Sequence, residues 1–338
     1  MHSFKKALLS FLAILLCIIV FSTIIIAPFM HDQDRKTRSD LAGNLDFLVI
    51  GASHAQFGFS PEVLDDELGV CSYNLSSILM PMSGRLEMLR KEISRNPVKT
   101  VVLEVSYDTL SIDNDKAFNE GDPQIIARLD TTSERMNYLT SYVTLDGWLN
   151  IYARMVVYGI SQWKDIVLRH SQSLTYKGFS PKQTNDVTLS EQAASTKRDR
   201  WAYKVSDTRQ DNLDMLRLII ELCQEHNIRT MVVVTPLADG FIWEHSNMDD
   251  FSTMLRDFCT DCDCEFYDLN LDKERYNTYS DDISFMDETH LSSIGATAMT
   301  ARFCRIITEV AEGKDVSNRF YNSYEEMKQD SPYMAFQK

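Results

Sequence analysis

Residues 7–29, ALLSFLAILLCIIVFSTIIIAPF, contain no charged side chain. This run constrains the chain most, because a helix that is apolar all round has no face to give to water. At about 1.5 Å per residue it reaches ~35 Å, enough to cross the hydrocarbon core of a bilayer. Lys5 and Lys6 precede it, as in a secretory signal peptide. Yet the run exceeds the ~7–15 residues of a signal core, and no small-x-small cleavage site follows. A retained anchor over 7–29 is expected, behind a short cytoplasmic tail at 1–6. Arg35, Lys36 and Arg38 compete with Lys5 and Lys6 in setting its orientation. The preferred reading places the rest of the chain outside the cytoplasm, with a reversed, cytoplasmic domain as the rival.

Beyond the anchor the composition is that of a globular protein, 44% hydrophobic and 25% charged over 338 residues. Lys and Arg number 34 against 49 Asp and Glu, a formal net charge of −15. That balance repels phosphate backbones and leaves no large basic patch, so nucleic acid is not expected as a partner. Of seven cysteines, Cys17 lies in the apolar run. The other six, Cys71, Cys223, Cys259, Cys262, Cys264 and Cys304, are an even number compatible with pairing outside the cell. Cys259, Cys262 and Cys264 offer three thiols without a fourth ligand at zinc spacing, so no metal is expected there. Disulfides and buried thiols both stay open.

The polar stretch 30–44 suits a linker. Short apolar runs at 45–50, 70–75, 100–105, 229–236 and 265–269 read as strands, several too continuous to be half exposed. Helices are expected after Ser60-Pro61, from a Ser83 cap to about 96, over 212–226, over 251–259, and over 292–310. Between about 107 and 205 the pattern loosens into an insertion, with amphipathic stretches near 125–139 and 148–168. Its Trp148, Tyr152, Tyr158, Trp163 and Tyr176 could stack on sugar rings or simply pack, and 176–179 reads as a turn able to reach over a cleft. Residues 313–338 form a tail that packs on the domain or meets a partner. Strands alternating with helices predict a mainly parallel sheet covered on both faces, a three-layer α/β sandwich over 45–312.

The first strand runs into Gly51-Ala52-Ser53-His54. Ligands of open α/β sheets bind beyond the carboxyl ends of strands, where Ser53 would present a nucleophile. A helix cap is the plainer role for the same serine. Near the other end, Asp287 and His290 stand three apart in what should be a loop. That spacing lets a carboxylate hold one imidazole nitrogen while the other takes a proton from a serine. The plainer alternative is a turn-capping aspartate and a surface histidine.

Together these segments, VIGASHAQFGFSP and FMDETHLSSIGA, resemble the SGNH (GDSL-like) hydrolase superfamily. Its nucleophile follows the first strand and its Asp-x-x-His precedes the last helix. The resemblance spans about residues 45 to 312 and implies a flavodoxin-like sheet with Ser53, Asp287 and His290 as the triad. An α/β-hydrolase fits less well, because the last Gly of a G-x-S-x-G elbow is replaced by Ala55. The family's Gly-Asp-Ser reads Gly51-Ala52-Ser53 here. For its oxyanion glycine Gly84 is the candidate. Its Gly-x-Asn-Asp block is absent after the third strand, leaving Ser106, or Asn74 from the neighbouring strand, as substitute donors. His54 is a candidate substrate-binding residue.

An outward-facing anchored domain that starts Gly-x-Ser-His is similar to accessory proteins of cell-envelope acylation, including the teichoic-acid D-alanylation protein. That resemblance implies a membrane-bound O-acyltransferase as partner, a polysaccharide as acceptor and no cofactor. Ser53 would then take an acyl group and pass it to a sugar hydroxyl or to water. A non-catalytic scaffold or glycan-binding relative of the same fold is the alternative.

Overall fold

The structure, a computed structural model, describes residues 2–20, 32–112, 121–161, 176–183, 189–195, 197–332 and 334. Its centre is built from strands in which neighbouring side chains face opposite ways and both faces are dry. In β1 (Phe47–Ile50), Phe47 and Val49 enter one core while Leu48 and Ile50 enter the other. The same alternation holds for Val101, Val102 and Leu103 of β3 (Thr100–Glu104). It also holds for Met231 to Val234 of β5 (Arg229–Val234). A strand buried on both faces reads as a continuous apolar run, which is why these segments are visible in the sequence.

With β2 (Ser72–Asn74) and β7 (Glu265–Asp268) they form one five-stranded sheet in the order β2-β1-β3-β5-β7. Every pairing in it is parallel. Helices Met82–Ile93, Gln210–Glu225 and Met248–Asp261 cover one face, and Ser53–Gly58 and Ser293–Ala311 the other. The fold is therefore a three-layer α/β sandwich with a parallel sheet. Chain order reverses between β1 and β3, so a crevice opens there beyond the strand ends. Two further strands, β4 (Trp201–Ala202) and β6 (His245–Ser246), form a separate parallel pair.

Several expected boundaries move. Within the stretch expected as a linker, Asp32–Asp40 is a helix. Its Arg38 is buried, 2.5 Å from Glu92 and 3.0 Å from the Arg128 carbonyl, and Tyr73 donates to Asp34 at 2.7 Å. The helix expected to be capped by Ser83 starts two residues earlier, with Pro81 at the N-cap, and the Ser83 hydroxyl faces Tyr138 instead. Residues 125–139 divide into Asp122–Arg128 and Thr132–Tyr142, because Thr131 and Glu134 form a capping box. Within the insertion Tyr152 is buried and Trp148 donates to the Leu139 carbonyl, while Trp163 lies outside the described residues. The turn at 176–179 packs along β2, where Asn74 N–H donates to the Lys177 carbonyl.

Helix His2–Val20 exposes Leu8, Leu9, Phe11, Leu12, Ile14 and Leu16. Among the described residues no helix is long and apolar enough to cross a membrane. The expected span over 7–29 runs past residue 20 into positions outside the described residues. The tail docks on the domain: Tyr324 is buried with its hydroxyl 2.9 Å from Asp268, and it packs with Leu237, Phe241 and Met248. All seven cysteines are free thiols.

Candidate active site

Ser53 opens the helix Ser53–Gly58 three residues beyond β1, with Ala52 at the N-cap. No side chain caps this end, so the serine hydroxyl is not spent on the backbone. It meets His290 instead, Oγ to Nε2 at 2.8 Å. The other ring nitrogen of His290 lies 3.0 Å from both oxygens of Asp287. A carboxylate can only accept, so Nδ1 carries the proton and Nε2 is left to receive one from Ser53.

The loop that carries these two residues is held at several points. Phe285 and Leu291 form an antiparallel bridge, and Met286 N–H donates to the His290 carbonyl at 2.9 Å. Asp287 Oδ1 accepts from the N–H groups of Thr289 and His290 at 2.9 and 2.8 Å, an Asx turn within the motif. Ser292 then caps Ser293–Ala311. Burial opposes ionisation of Asp287, but the His290 ring and the Thr289 and His290 backbone N–H groups outweigh it and hold its pKa at about 2. The Glu288 carbonyl accepts from Ala238 N–H at 3.0 Å, fixing the loop to the chain leaving β5.

Beneath Ser53 runs a buried ionic chain. Glu104, the last residue of β3 and fully buried, accepts the Ala52 N–H at 2.8 Å through Oε2. Arg85, also fully buried, donates to the Glu104 carbonyl and brings Nη2 within 3.9 Å of Oε2. Oε1 of Glu104 lies 3.5 Å from Nδ1 of His54, an ion-pair distance longer than a hydrogen bond. Burial disfavours the imidazolium of His54, yet Glu104, Asp108 and Asp287 together raise its pKa. Burial likewise opposes ionisation of Glu104, and His54 and Arg85 overcome it, lowering its pKa. Gly51 is needed here because a Cβ would sit 2.5 Å from Glu104 Oε2.

Not every residue singled out in the sequence reaches this site. Asn74 is fully buried and directs Nδ2 to the carbonyls of Ala55 and Phe59, at 2.8 and 3.0 Å. Both amide hydrogens tie down the serine helix, so none is left for an oxyanion. Gly84 lies within Met82–Ile93, where a Cβ would press on Ile125 at 2.7 Å. It serves helix packing. Ser106 caps Tyr107–Ser111, its hydroxyl 2.9 Å from Thr109 Oγ1. It nonetheless lines a small hollow with His54 and Thr289. The His54 ring is 5.0 Å from that of His290, centroid to centroid.

Glu104 and Arg85 went unread in the sequence as site residues. The signal was a carboxylate closing the otherwise apolar run Thr100-Val101-Val102-Leu103-Glu104, since a charge buried at a strand end requires a partner.

No family model matches the chain, and no curated protein matches it. Among solved structures it is similar to a "putative acylhydrolase" of Bacteroides fragilis. The two share 9% identity over 82% of this chain and 96% of that one, with a TM-score of 0.39. A likeness this loose carries neither fold nor activity across.

Proposed function

We propose that this chain is a membrane-anchored acyl-serine enzyme, an esterase or O-acyltransferase of a cell-envelope or exported polysaccharide, as its resemblance to SGNH hydrolases implies. The observation that carries the reading is the continuous hydrogen-bonded series Ser53–His290–Asp287 at the strand ends beside the switch in chain order. Ser53 Oγ attacks the acyl carbonyl and gives its proton to His290 Nε2. The tetrahedral intermediate then expels the donor's alcohol or thiol, which takes that proton as it leaves. Acyl-Ser53 is attacked in turn by a sugar hydroxyl or water, whose proton passes to His290 and back to Ser53. Asp287 keeps the ring oriented and stabilises the imidazolium. The Ser53 N–H, in the uncapped first turn of its helix, is an oxyanion donor.

The charge-free run at 7–29 and the exposed apolar side chains of its described part support attachment to a membrane. An extracytoplasmic domain working beside a membrane-bound O-acyltransferase is part of the same proposal. The alternative, a non-catalytic scaffold, draws support from the work already assigned to the side chains of Asn74 and Ser106.

Incubation with a p-nitrophenyl ester, followed by intact-mass measurement, tests the reading. An acyl adduct that maps to Ser53 and decays faster with a glycan acceptor than in water identifies a transferase. Decay indifferent to acceptor identifies an esterase, and no adduct or turnover favours the scaffold.

A further inference from the structure

A cavity of about 580 Å³ opens beside the His290 loop. One wall is aromatic: Phe241 stacks on His245 at 4.0 Å and 18°, with Tyr107 about 6 Å from each. Trp201, 53% exposed, stands at its edge on the β4–β6 pair. Three carboxylates, Asp207, Glu244 and Glu288, share the lining, and among the described residues no lysine or arginine does. Arg200 lies over the Trp201 ring at 5.3 Å and 3.9 Å from Glu244, outside the lining.

The cavity adjoins the site through shared walls, although Ser53 and His290 are not in its lining. Tyr107, Phe241 and Met248 line both it and the hollow that holds His54, Ser106 and Thr289. Glu288 stands between Asp287 and Thr289 in the loop that carries the triad. An occupant of the cavity therefore lies against the loop that carries Asp287 and His290.

Its lining selects by charge. Aromatic faces offer apolar area to the C–H faces of sugar rings, and carboxylates accept hydrogen bonds from hydroxyls, the stronger kind of polar contact. A phosphate or carboxylate entering the cavity would meet three carboxylates and no lysine or arginine of the lining, Arg200 at the edge being paired with Glu244. Burial together with Glu244 and Asp287 already raises the pKa of Glu288, a sign of how poorly further negative charge is tolerated. We propose that this cavity is the acceptor subsite of the Ser53 centre and that it takes uncharged sugar residues while excluding polyanionic chains. Its role as an acceptor site rests on the acyl-serine reading, whereas its selectivity for sugars does not.

Calorimetric titration of the full-length protein in detergent tests this without turnover. The ligands are maltohexaose, cellohexaose, hexa-N-acetylchitohexaose and hexagalacturonate, each to about 10 mM, with Trp201→Ala beside the wild type. At least one neutral hexasaccharide should bind, Trp201→Ala should weaken it at least about tenfold, and hexagalacturonate should give no heat. The proposal is overturned if no neutral chain binds, if hexagalacturonate binds as well as they do, or if Trp201→Ala leaves affinity unchanged. Labelling of wild-type Ser53 with a fluorophosphonate in parallel separates the two readings. Labelling without glycan binding sinks the subsite alone, and glycan binding without labelling sinks the acyl-serine reading and with it the acceptor role, leaving the sugar site.

Discussion

Ser53 Oγ lies 2.8 Å from Nε2 of His290, a residue 237 positions further along the chain. Neither side chain is placed by the other. Ser53 is set by the turn after β1, whose Ala52 N–H is held by Glu104. His290 is set by a loop closed by the Phe285–Leu291 bridge and anchored to Ala238. Two independently fixed elements thus meet at hydrogen-bond distance, which is what an activated nucleophile requires.

Asp287 orients the ring whose far nitrogen faces Ser53, so Asp287→Asn should leave the fold intact and turn the imidazole to the wrong tautomer. Ester turnover should fall about 10⁴-fold, as for loss of the same charge in other serine triads. Steady-state hydrolysis of a p-nitrophenyl ester measures it, and a loss under tenfold would mean that His290 does not depend on Asp287.

Asn74 gives the clearest division between a structural and a catalytic part. Removing its amide takes a donor from each of the buried carbonyls of Ala55, which keeps the Phe59 N–H, and Phe59, at roughly 1–3 kcal/mol for a group left unsatisfied. Asn74→Ala should lower the melting temperature, while the rate of Ser53 acylation per folded molecule stays within a few-fold. A hundredfold drop in that rate with stability unchanged would return Asn74 to the oxyanion hole.

The ionic chain predicts a steep asymmetry between single and double variants. Glu104→Gln strands Arg85 in the core and weakens the hold on the His54 proton, a loss on the order of 3–5 kcal/mol. Pairing it with Arg85→Met removes the stranded charge and should recover much of that loss in urea unfolding. A double variant as unstable as the sum of its parts would show that the two residues do not interact.

Asp281 supplies a pH dependence of defined sign. Burial first, then the neighbouring Asp239, push its carboxyl from 3.8 up to about 7 against the pull of Arg275. The folded chain therefore binds a proton that the unfolded chain has released, so stability falls as pH rises from about 4 to about 7, by up to ~1.4 kcal/mol per pH unit. Asp281→Asn should flatten this part of the profile and be the more stable protein above pH 7. Parallel profiles for the two proteins would refute the assignment.

The strands were legible because both faces of the sheet are dry, and the helix after Ser292 because its cap is local. The triad was legible for a different reason: its members sit at a strand end and in a short motif, both readable along the chain. What escaped depends on partners distant in sequence. Asp32–Asp40 has the composition of a linker and is held by Arg38 reaching Glu92 and the Arg128 carbonyl. Asn74 looked available as a donor until the carbonyls ending the serine helix came within reach. The aromatic cavity joins Tyr107, Trp201 and His245, which no spacing connects.

The central claim is that Ser53 is an activated nucleophile. It is tested most directly by labelling the detergent-solubilised protein with a fluorophosphonate probe, wild type beside Ser53→Ala and His290→Ala. The account predicts a labelled wild type with the adduct on Ser53, no label in Ser53→Ala, and labelling at least about 10³-fold slower in His290→Ala. Labelling that persists in Ser53→Ala, or a rate indifferent to His290, would contradict it.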